Sequence, residues 1–227
     1  MLDILYLDSH IAIINKPHGL LVHQSPIARD ASEFAIQMLR DQLNQKVNPV
    51  HRIDRKTSGV LIFALDKETN RMLTEQFTQQ SIKKTYLAVV RGFIKENTLI
   101  DYPLRREDGK IQEAQTYIRP LKYAELPIGS SKHPTSRYTL IEAEPYTGRM
   151  HQIRKHMAHI FHPIIGDRPH GCNKQNKLWL EHFSMNTMLL HASHITFIHP
   201  ISQEIISMNA PLQSEFTEAL KILNIEM

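Results

Sequence analysis

A carboxylate between two guanidiniums is the feature of this chain best suited to chemistry: Asp54 lies between Arg52 and Arg55. Nearby positive charge lowers the pKa of a carboxyl group, so we expect Asp54 to be ionised near neutral pH. An ionised carboxylate can act as a nucleophile or as a base. The turn-forming residues 57–59 follow at once, so a purely structural role, in which Asp54 caps backbone amides in an Asx turn, stays open.

The elements that must position Asp54 begin with the apolar run 60–65, which predicts a buried strand directly after the turn. β-rich segments predict further strands at 4–8, 11–15, 84–92, 115–123, 136–144, 195–198 and 203–208. Helical spacing predicts helices that end near 43, begin near 66, run from 149 to 161 and close the chain at 212–223. Because the strands come in clusters rather than alternating with helices, the pattern favours an α+β fold with a mainly antiparallel mixed sheet flanked by helices and loops.

An arginine lies on the apolar face of the predicted helix 149–161, where Arg154 shares its stripe with Met150, Met157 and Phe161. A guanidinium does not lose its proton, so burial without a partner is costly and a bidentate carboxylate is the expected remedy. We predict that this carboxylate is Asp54. The alternative is that Arg154 extends from the edge of the stripe to solvent.

The opposite face of this helix is polar and basic in the sequence. It is expected to expose Arg149, Gln152, Lys155, His156 and His159. Such a face suits contacts with phosphates, although a basic face that is only solvated has the same pattern.

Composition bounds the class of protein. The chain has 227 residues, of which 41% are hydrophobic and 22% charged, which suits a globular protein with one sizeable core and one domain, or at most two. The single cysteine, Cys172, excludes an internal disulfide framework and favours a reducing cytosol. No apolar run approaches the ~20 residues that span a bilayer. The net charge of +4 permits a polyanionic partner without demonstrating one.

Several catalytic motifs are missing from the sequence. Four histidines at 151, 156, 159 and 162 lack the carboxylates or cysteines of a typical metal site, which disfavours a metal-dependent nuclease. The eight glycines form neither a phosphate-binding loop nor a dinucleotide fingerprint, and no Gly-x-Ser-x-Gly elbow occurs. We therefore expect neither a metal nor a nucleotide cofactor.

Residues 51–59, His-Arg-Ile-Asp-Arg-Lys-Thr-Ser-Gly, resemble the defining motif of the RluA-type pseudouridine synthases, which isomerise uridine in RNA. Further segments match in order along nearly the whole chain. They are 15–20, 84–92, 147–154, 162–167 and 190–192. Two departures are mild, since Ile53 and Ile153 stand where the family usually has leucine.

The resemblance implies a pseudouridine synthase-like fold and a reaction that needs no cofactor, because no atoms enter or leave the RNA. It implies that Asp54 is the essential carboxylate, which either attacks the ribose or removes a ribose proton. It also implies that Tyr86 stacks on the flipped base and that Arg154 pairs with Asp54. Without the resemblance, Tyr86 reads as a strand tyrosine packed on a sheet.

The resemblance extends to residues that meet the substrate. Arg52 is expected to enter the RNA and help evict the base, while His51 and Thr57 shape the loop and Ile153 forms an apolar wall. Lys16 and Arg149 are candidates for backbone phosphates, with a structural or merely solvated role as the alternative for each.

Two further segments of the sequence bear on which RNA is the substrate. Residues 133–138 and 164–176 resemble members of the family that modify the uridine at position 65 of tRNA. The sequence is expected to form a single catalytic domain at 1–227 without an N-terminal S4-type RNA-binding domain, and with an insertion or flexible arm at 101–134. A ribosomal or dual substrate, or a non-catalytic RNA-binding protein of the same fold, remains the alternative. We expect a cytoplasmic protein with tRNA as partner; a monomer is compatible with the sequence, which does not fix the oligomeric state.

Overall fold

The computed structural model of the chain describes residues 1–24, 33–129 and 133–227. The chain forms two compact units. The first unit comprises Met1–Lys84 and Ala192–Gln213, and the second comprises Thr85–His191 and Ser214–Met227.

Strands and helices follow one another along the described residues. The strands are β1 (Asp3–Leu7), β2 (Ile11–Lys16), β3 (Asn48–Pro49), β4 (Ser58–Ala64), β5 (Lys83–Arg91), β6 (Thr98–Asp101), β7 (Leu104–Arg105), β8 (Ile111–Gln112), β9 (Gln115–Leu126), β10 (Ser136–Pro145), β11 (Leu190–Ile198) and β12 (Ile205–Asn209). The helices are α1 (Ala35–Leu43), α2 (Lys67–Thr78), α3 (Gln152–His159), α4 (Asn173–Phe183) and α5 (Ser214–Ile222).

In the first unit, β2 and β4 form the centre of a sheet in the order β1, β2, β4, β11, with β3 on β4 and β12 on β11. Every residue of β2 and β4 is buried, including the polar Asn15 and Lys16 at the end of β2, so neither strand shows the alternating pattern of a half-exposed sheet. They pair antiparallel from Ile11 opposite Ala64 to Lys16 opposite Gly59. This register brings the end of β2 beside the start of β4, where the Asp54 turn ends.

Gly59 allows β4 to approach β11 closely. Its φ is +108°, and a Cβ placed there would collide with the backbone carbonyl of Ala192. Only glycine meets both demands, because it has no Cβ and tolerates a positive φ. The strand that follows the Asp54 turn is therefore seated directly against its neighbour.

In the second unit, the strands lie in the order β5, β10, β9, β6, and each neighbouring pair is antiparallel. Helix α3 contributes Ile153 and Met157 to a buried cluster that also contains Val90, Ile118 and Ile141. The α+β class with a mainly antiparallel sheet is confirmed. No helix among the described residues is long and apolar enough to cross a membrane.

Helix α3 differs from its prediction. It spans Gln152–His159 instead of 149–161, and Met150 and Phe161 are exposed, at 49% and 85%, so they do not belong to its buried face. Phe161 lies beyond the helix with a positive φ of 64°, as expected for a chain that must leave the helix before Pro163. Helix α4 and the short strands β6, β7 and β8 were not predicted.

Residues 101–134, expected to be an insertion or flexible arm, contain the β7–β8 hairpin and all of β9 within their described part. β9 pairs with both β10 and β6. That residues 101–134 are an insertion or flexible arm, and that residues 1–227 form a single catalytic domain, stay predictions.

Candidate active site

The Asp54 side chain lies on the loop between β3 and β4, half-buried. The loop is tight, because the Thr57 backbone N–H donates to the Asp54 carbonyl oxygen at 3.0 Å. Ile53 on one side is 7% exposed and Thr57 on the other is 2% exposed. Two buried neighbours therefore anchor a carboxylate that solvent still reaches.

Lys16 is fully buried behind this loop. Its ammonium donates to the carbonyl oxygens of Pro17 at 2.9 Å, Leu20 at 2.8 Å and Arg55 at 3.2 Å. Burial lowers the pKa of Lys16 to about 7, against the opposing effect of the negative charge on Asp54. With its three donors committed to carbonyls, Lys16 takes the structural role rather than that of a phosphate contact.

Arg55 completes the same clamp. Its backbone oxygen accepts from the Gly19 N–H at 2.9 Å, and its side-chain Nε donates to the Gly19 oxygen at 3.0 Å. Together with Lys16, these bonds tie the backbone immediately after Asp54 to the turn that follows β2. The position of the carboxylate thus depends on two segments that the sequence analysis treated separately.

His51 packs at the start of the loop. Its ring stacks on Phe77 with centroids 4.6 Å apart, and its Nε2 accepts from the Ile62 N–H at 3.1 Å, which places the ring proton on Nδ1. Burial and the nearby charge of Lys84 lower the pKa of His51 to about 3. A neutral His51 thus holds the loop to β4, and Arg52 beside it is exposed.

In the second unit, Tyr86 lies on β5 opposite Ala143 of β10. It is half-buried and packs on the same cluster that contains Ile153. An aromatic ring and an aliphatic wall that share one cluster could receive a flat base. Their role as a base-binding surface stays a prediction.

Arg154 is buried, with a side-chain exposure of 5%, so the inference from the apolar stripe is confirmed and its extension to solvent is excluded. It has a carboxylate partner that the sequence analysis missed. Its Nε and Nη2 donate to the two carboxylate oxygens of Asp167, both at 2.8 Å. These bonds take two of the five N–H groups of a guanidinium. A pairing of Arg154 with Asp54 stays a prediction.

Two residues expected on the solvated face of α3 are instead buried. Gln152 is 4% exposed and His156 is fully buried. The Gln152 amide accepts from Thr147 at 2.7 Å and donates to the Gln115 carbonyl at 2.9 Å. His156 contacts Thr116 at 2.9 Å, and burial lowers its pKa. These bonds fix α3 on β9, and periodicity missed them because it treats polar residues as exposed.

Arg149 lines a cavity of about 410 Å³ between the β7–β8 hairpin and the start of α3. Arg105, Arg106 and Lys155 line the same cavity, together with Glu107 and Asp108. The Arg149 Nε donates to the Glu113 carbonyl at 3.0 Å. Four cationic side chains against two acidic ones make this a basic surface, suited to phosphate oxygens.

No group of three or more histidine, cysteine, aspartate or glutamate side chains is placed to hold a metal ion in the described part of the chain. His151 and His170 contact each other, with Nδ1 and Nε2 3.0 Å apart. The His170 backbone N–H also donates to the carboxylate of Asp167, the partner of Arg154. Burial lowers the pKa of His170.

Comparison with known proteins gives consistent results. Residues 10–159 match the family model described as RNA pseudouridylate synthase. The tRNA pseudouridine synthase C of Vibrio cholerae is 46% identical over 223 residues, covering 93% of this chain and 91% of that protein. The protein of the same name from Haemophilus influenzae is 42% identical over 231 residues, covering 97% of each. The structure titled human RNA pseudouridylate synthase domain containing 4 aligns with a TM-score of 0.74 and 25% identity, over 99% of this chain and 94% of that one.

Proposed function

Because this chain belongs to the RNA pseudouridylate synthase family, it is an isomerase of uridine in RNA, and we propose that its target is the uridine at position 65 of tRNA. The relatives named tRNA pseudouridine synthase C support tRNA as the substrate class. The segments 133–138 and 164–176 support the position. The observation that supports the chemistry, as distinct from the target position, is the half-buried Asp54 on a loop clamped by a buried lysine.

The reaction is an isomerisation with a closed balance of atoms. The bond from uracil N1 to the ribose breaks, the base turns, and a new bond joins C5 to the same ribose carbon. The hydrogen lost from C5 is balanced by the hydrogen gained at N1, so no external reagent is consumed. Asp54 starts this sequence either by attacking the ribose carbon or by removing a ribose proton.

The base must leave the RNA stack before a carboxylate can reach its ribose, which costs a few kcal/mol. We propose that the exposed Arg52 enters the helix as the base leaves. The ring of Tyr86 then stacks on the everted uracil, and Ile153 lies along its edge. Tyr86 packs against the buried apolar cluster that contains Ile153, which suits a base that must stay bound while it turns.

We propose that Arg154 pairs with Asp54 in the reactive state. A guanidinium beside a carboxylate favours the ionised form and restricts its rotamers. The bidentate bonds to Asp167 use the Nε and Nη2 side of Arg154. The planar fork of arginine, unlike a lysine ammonium, has enough donors to serve two carboxylates.

The RNA backbone is proposed to lie over the basic cavity that includes Arg149, Arg105 and Lys155. Contacts with phosphates set affinity and make it depend on salt, without reading sequence. Replacing Arg149 by methionine should weaken tRNA binding and reduce the salt dependence of the affinity, leaving the turnover of bound tRNA within about threefold, or ~0.7 kcal/mol. An unchanged salt dependence would remove Arg149 from the proposed path.

The test is an assay with unmodified tRNA transcript, a chelator and no added nucleotide, followed by chemical mapping of pseudouridine by primer extension. We expect one modified uridine, at position 65, and intact RNA. A transcript with cytidine at 65 is the matched control and should stay unmodified. Strand cleavage, or binding with no isomerised base, would contradict the proposed reaction, and modification at another uridine would contradict the proposed position.

Asp54→Asn separates chemistry from binding. The amide has nearly the same shape but is neither a nucleophile nor a base, so turnover should be abolished. Affinity for tRNA should stay within about tenfold, or ~1.4 kcal/mol. Retained turnover in this variant would reject Asp54 as the essential carboxylate.

We also propose that the protein acts in the cytoplasm on free tRNA, as a single catalytic domain without a metal or nucleotide cofactor. A ribosomal or dual substrate is the second candidate, and its support is the family match rather than a particular contact. Ribosomal RNA fragments assayed beside tRNA under the same conditions distinguish the two.

A further inference from the structure

Asp167 is among the least exposed carboxylates of the described chain, with a side-chain exposure of 1%. It meets the guanidinium of Arg154 side-on, through two bonds of 2.8 Å to Nε and Nη2. This geometry fixes the plane of the guanidinium as well as its position. Burial alone would raise the pKa of Asp167, yet the hydrogen bonds and charge of Arg154 outweigh it and the pKa lies below the usual value.

The loop that carries Asp167 is itself held on both sides. Asn176 on α4 donates to the Asp167 carbonyl oxygen at 2.7 Å and accepts from the Gly166 N–H at 2.9 Å. The His170 N–H donates to the Asp167 carboxylate at 3.3 Å. A Cβ at Gly171 would collide with the Asp167 carbonyl oxygen, so the loop closes on itself too tightly for another residue.

These contacts exceed what is needed to neutralise a buried arginine. A flexible carboxylate would balance the charge, whereas here the backbone before Asp167, its own carbonyl and its carboxylate are each bonded. Helix α3 is fixed as well, because Gln152 and His156 are bonded to β9. The orientation of the Arg154 guanidinium is therefore determined from both ends of the side chain.

We infer that Asp167 is a positioning residue for the reaction: it holds the guanidinium of Arg154 in the single orientation that the catalytic carboxylate requires. This inference rests on the proposed function. Asp167 touches neither substrate nor reacting atoms in this role and acts only through Arg154. The Asp167 carboxylate orients the Arg154 guanidinium, which pairs with Asp54. Asn176 holds the loop that carries Asp167 in place.

The experiment is a mutant cycle measured as single-turnover pseudouridine formation on saturating tRNA. The variants are Asp167→Asn, Arg154→Met and the double variant, each checked for folding by circular dichroism and thermal unfolding. We expect Asp167→Asn to slow turnover at least a hundredfold and to change the tRNA dissociation constant less than threefold. The double variant should be no slower than Arg154→Met within threefold, because Asp167 has nothing to orient once Arg154 is gone.

Glu142→Gln is the matched control. Glu142 also accepts from an arginine, Arg119 at 2.7 Å, in the same unit, but that arginine is largely exposed. The same change from carboxylate to amide should leave its turnover unaltered.

Turnover of Asp167→Asn within threefold of the unaltered protein, or losses that multiply in the double variant, would overturn the inference. If Asp167→Asn does not fold, Asn176→Ala takes its place, because it keeps both charges and removes only the support of the loop. It should slow turnover about tenfold without changing affinity, and wild-type turnover in this variant would equally overturn the inference. Failure of the proposed function is distinct, since the unaltered protein would then make no pseudouridine.

Discussion

Two buried cations, one in each unit, meet the cost of burial in different ways. Lys16 in the first unit is surrounded by the neutral carbonyl oxygens of Pro17, Leu20 and Arg55, and burial lowers its pKa to about 7. Arg154 in the second unit faces the ionised carboxylate of Asp167. An ammonium can release its proton when burial is costly, whereas a guanidinium cannot.

Lys16 serves to bind backbone carbonyls, whereas Arg154 carries a permanent charge. Lys16 ties the backbone immediately after Asp54 to the turn that follows β2, and three carbonyls suffice for that purpose. A group that must remain charged in a dry environment needs an opposite charge beside it. The nature of the partner, carbonyl or carboxylate, thus indicates which buried cation can release its proton and which keeps a fixed charge.

The strongest test of this comparison is Arg154→Met. It leaves the Asp167 carboxylate buried and uncompensated, which should lower the free energy of unfolding by about 3–5 kcal/mol. Adding Asp167→Asn should restore most of that loss, because the second buried charge disappears as well. Urea unfolding followed by circular dichroism measures both. Equal stability of the single variant and the unaltered protein would show that Arg154 and Asp167 are not a coupled pair.

Lys16→Met tests the other cation through pH. The pKa of Lys16 falls from 10.5 in the unfolded chain to about 7 in the folded protein. Between these values the unfolded chain binds a proton that the folded protein has released, so stability rises with pH across this window. The contribution is at most about 1.4 kcal/mol per pH unit.

Unfolding free energies of the two proteins at pH 7, 8 and 9, within the window set by the two pKa values, give the measurement. Lys16→Met should show a smaller rise with pH than the unaltered protein. Identical slopes would mean that Lys16 keeps its proton in the folded state, and the contrast with Arg154 would disappear.

The smallest effect is expected at His51, a half-buried base whose ring contacts Phe77 and the Ile62 N–H. Its pKa falls from 6.5 to about 3, so its contribution to stability is complete above pH 6.5 and decreases as the pH falls toward 3. His51→Gln removes this titration and should reduce the loss of stability between pH 6.5 and 5 by at most about 2 kcal/mol. Thermal unfolding of both proteins at these two pH values gives the measurement. An equal loss of stability in His51→Gln and in the unaltered protein would show that the His51 ring is protonated in the folded state.

Local pattern predicted much of this molecule. The start of α2 near residue 66, the buried strand β4 and the burial of Arg154 were correctly predicted, because each depends on residues close together in sequence. The turn that carries Asp54 was expected from its residues for the same reason.

The hydrogen-bond partners of buried polar side chains could not be predicted from the periodicity of the sequence. Gln152 and His156 bond to Gln115 and Thr116 on β9, 37 and 40 residues away along the chain, and a local periodicity gives no information about contacts at that separation. Asp167 ends the segment 162–167, and nothing in that segment indicates that it is the carboxylate that a buried Arg154 requires. A polar residue looks exposed in sequence until the group that satisfies it is known.

The place where β4 meets β11 imposes a limit on change that has nothing to do with reactivity. Gly59 carries no functional group, yet any side chain there would press on the Ala192 carbonyl and force the strands apart. Such a shift would propagate to the adjoining turn within five residues. Efforts to stabilise or redesign the protein should therefore leave this position untouched, since an added methyl group would displace the chain segment that carries the Asp54 carboxylate.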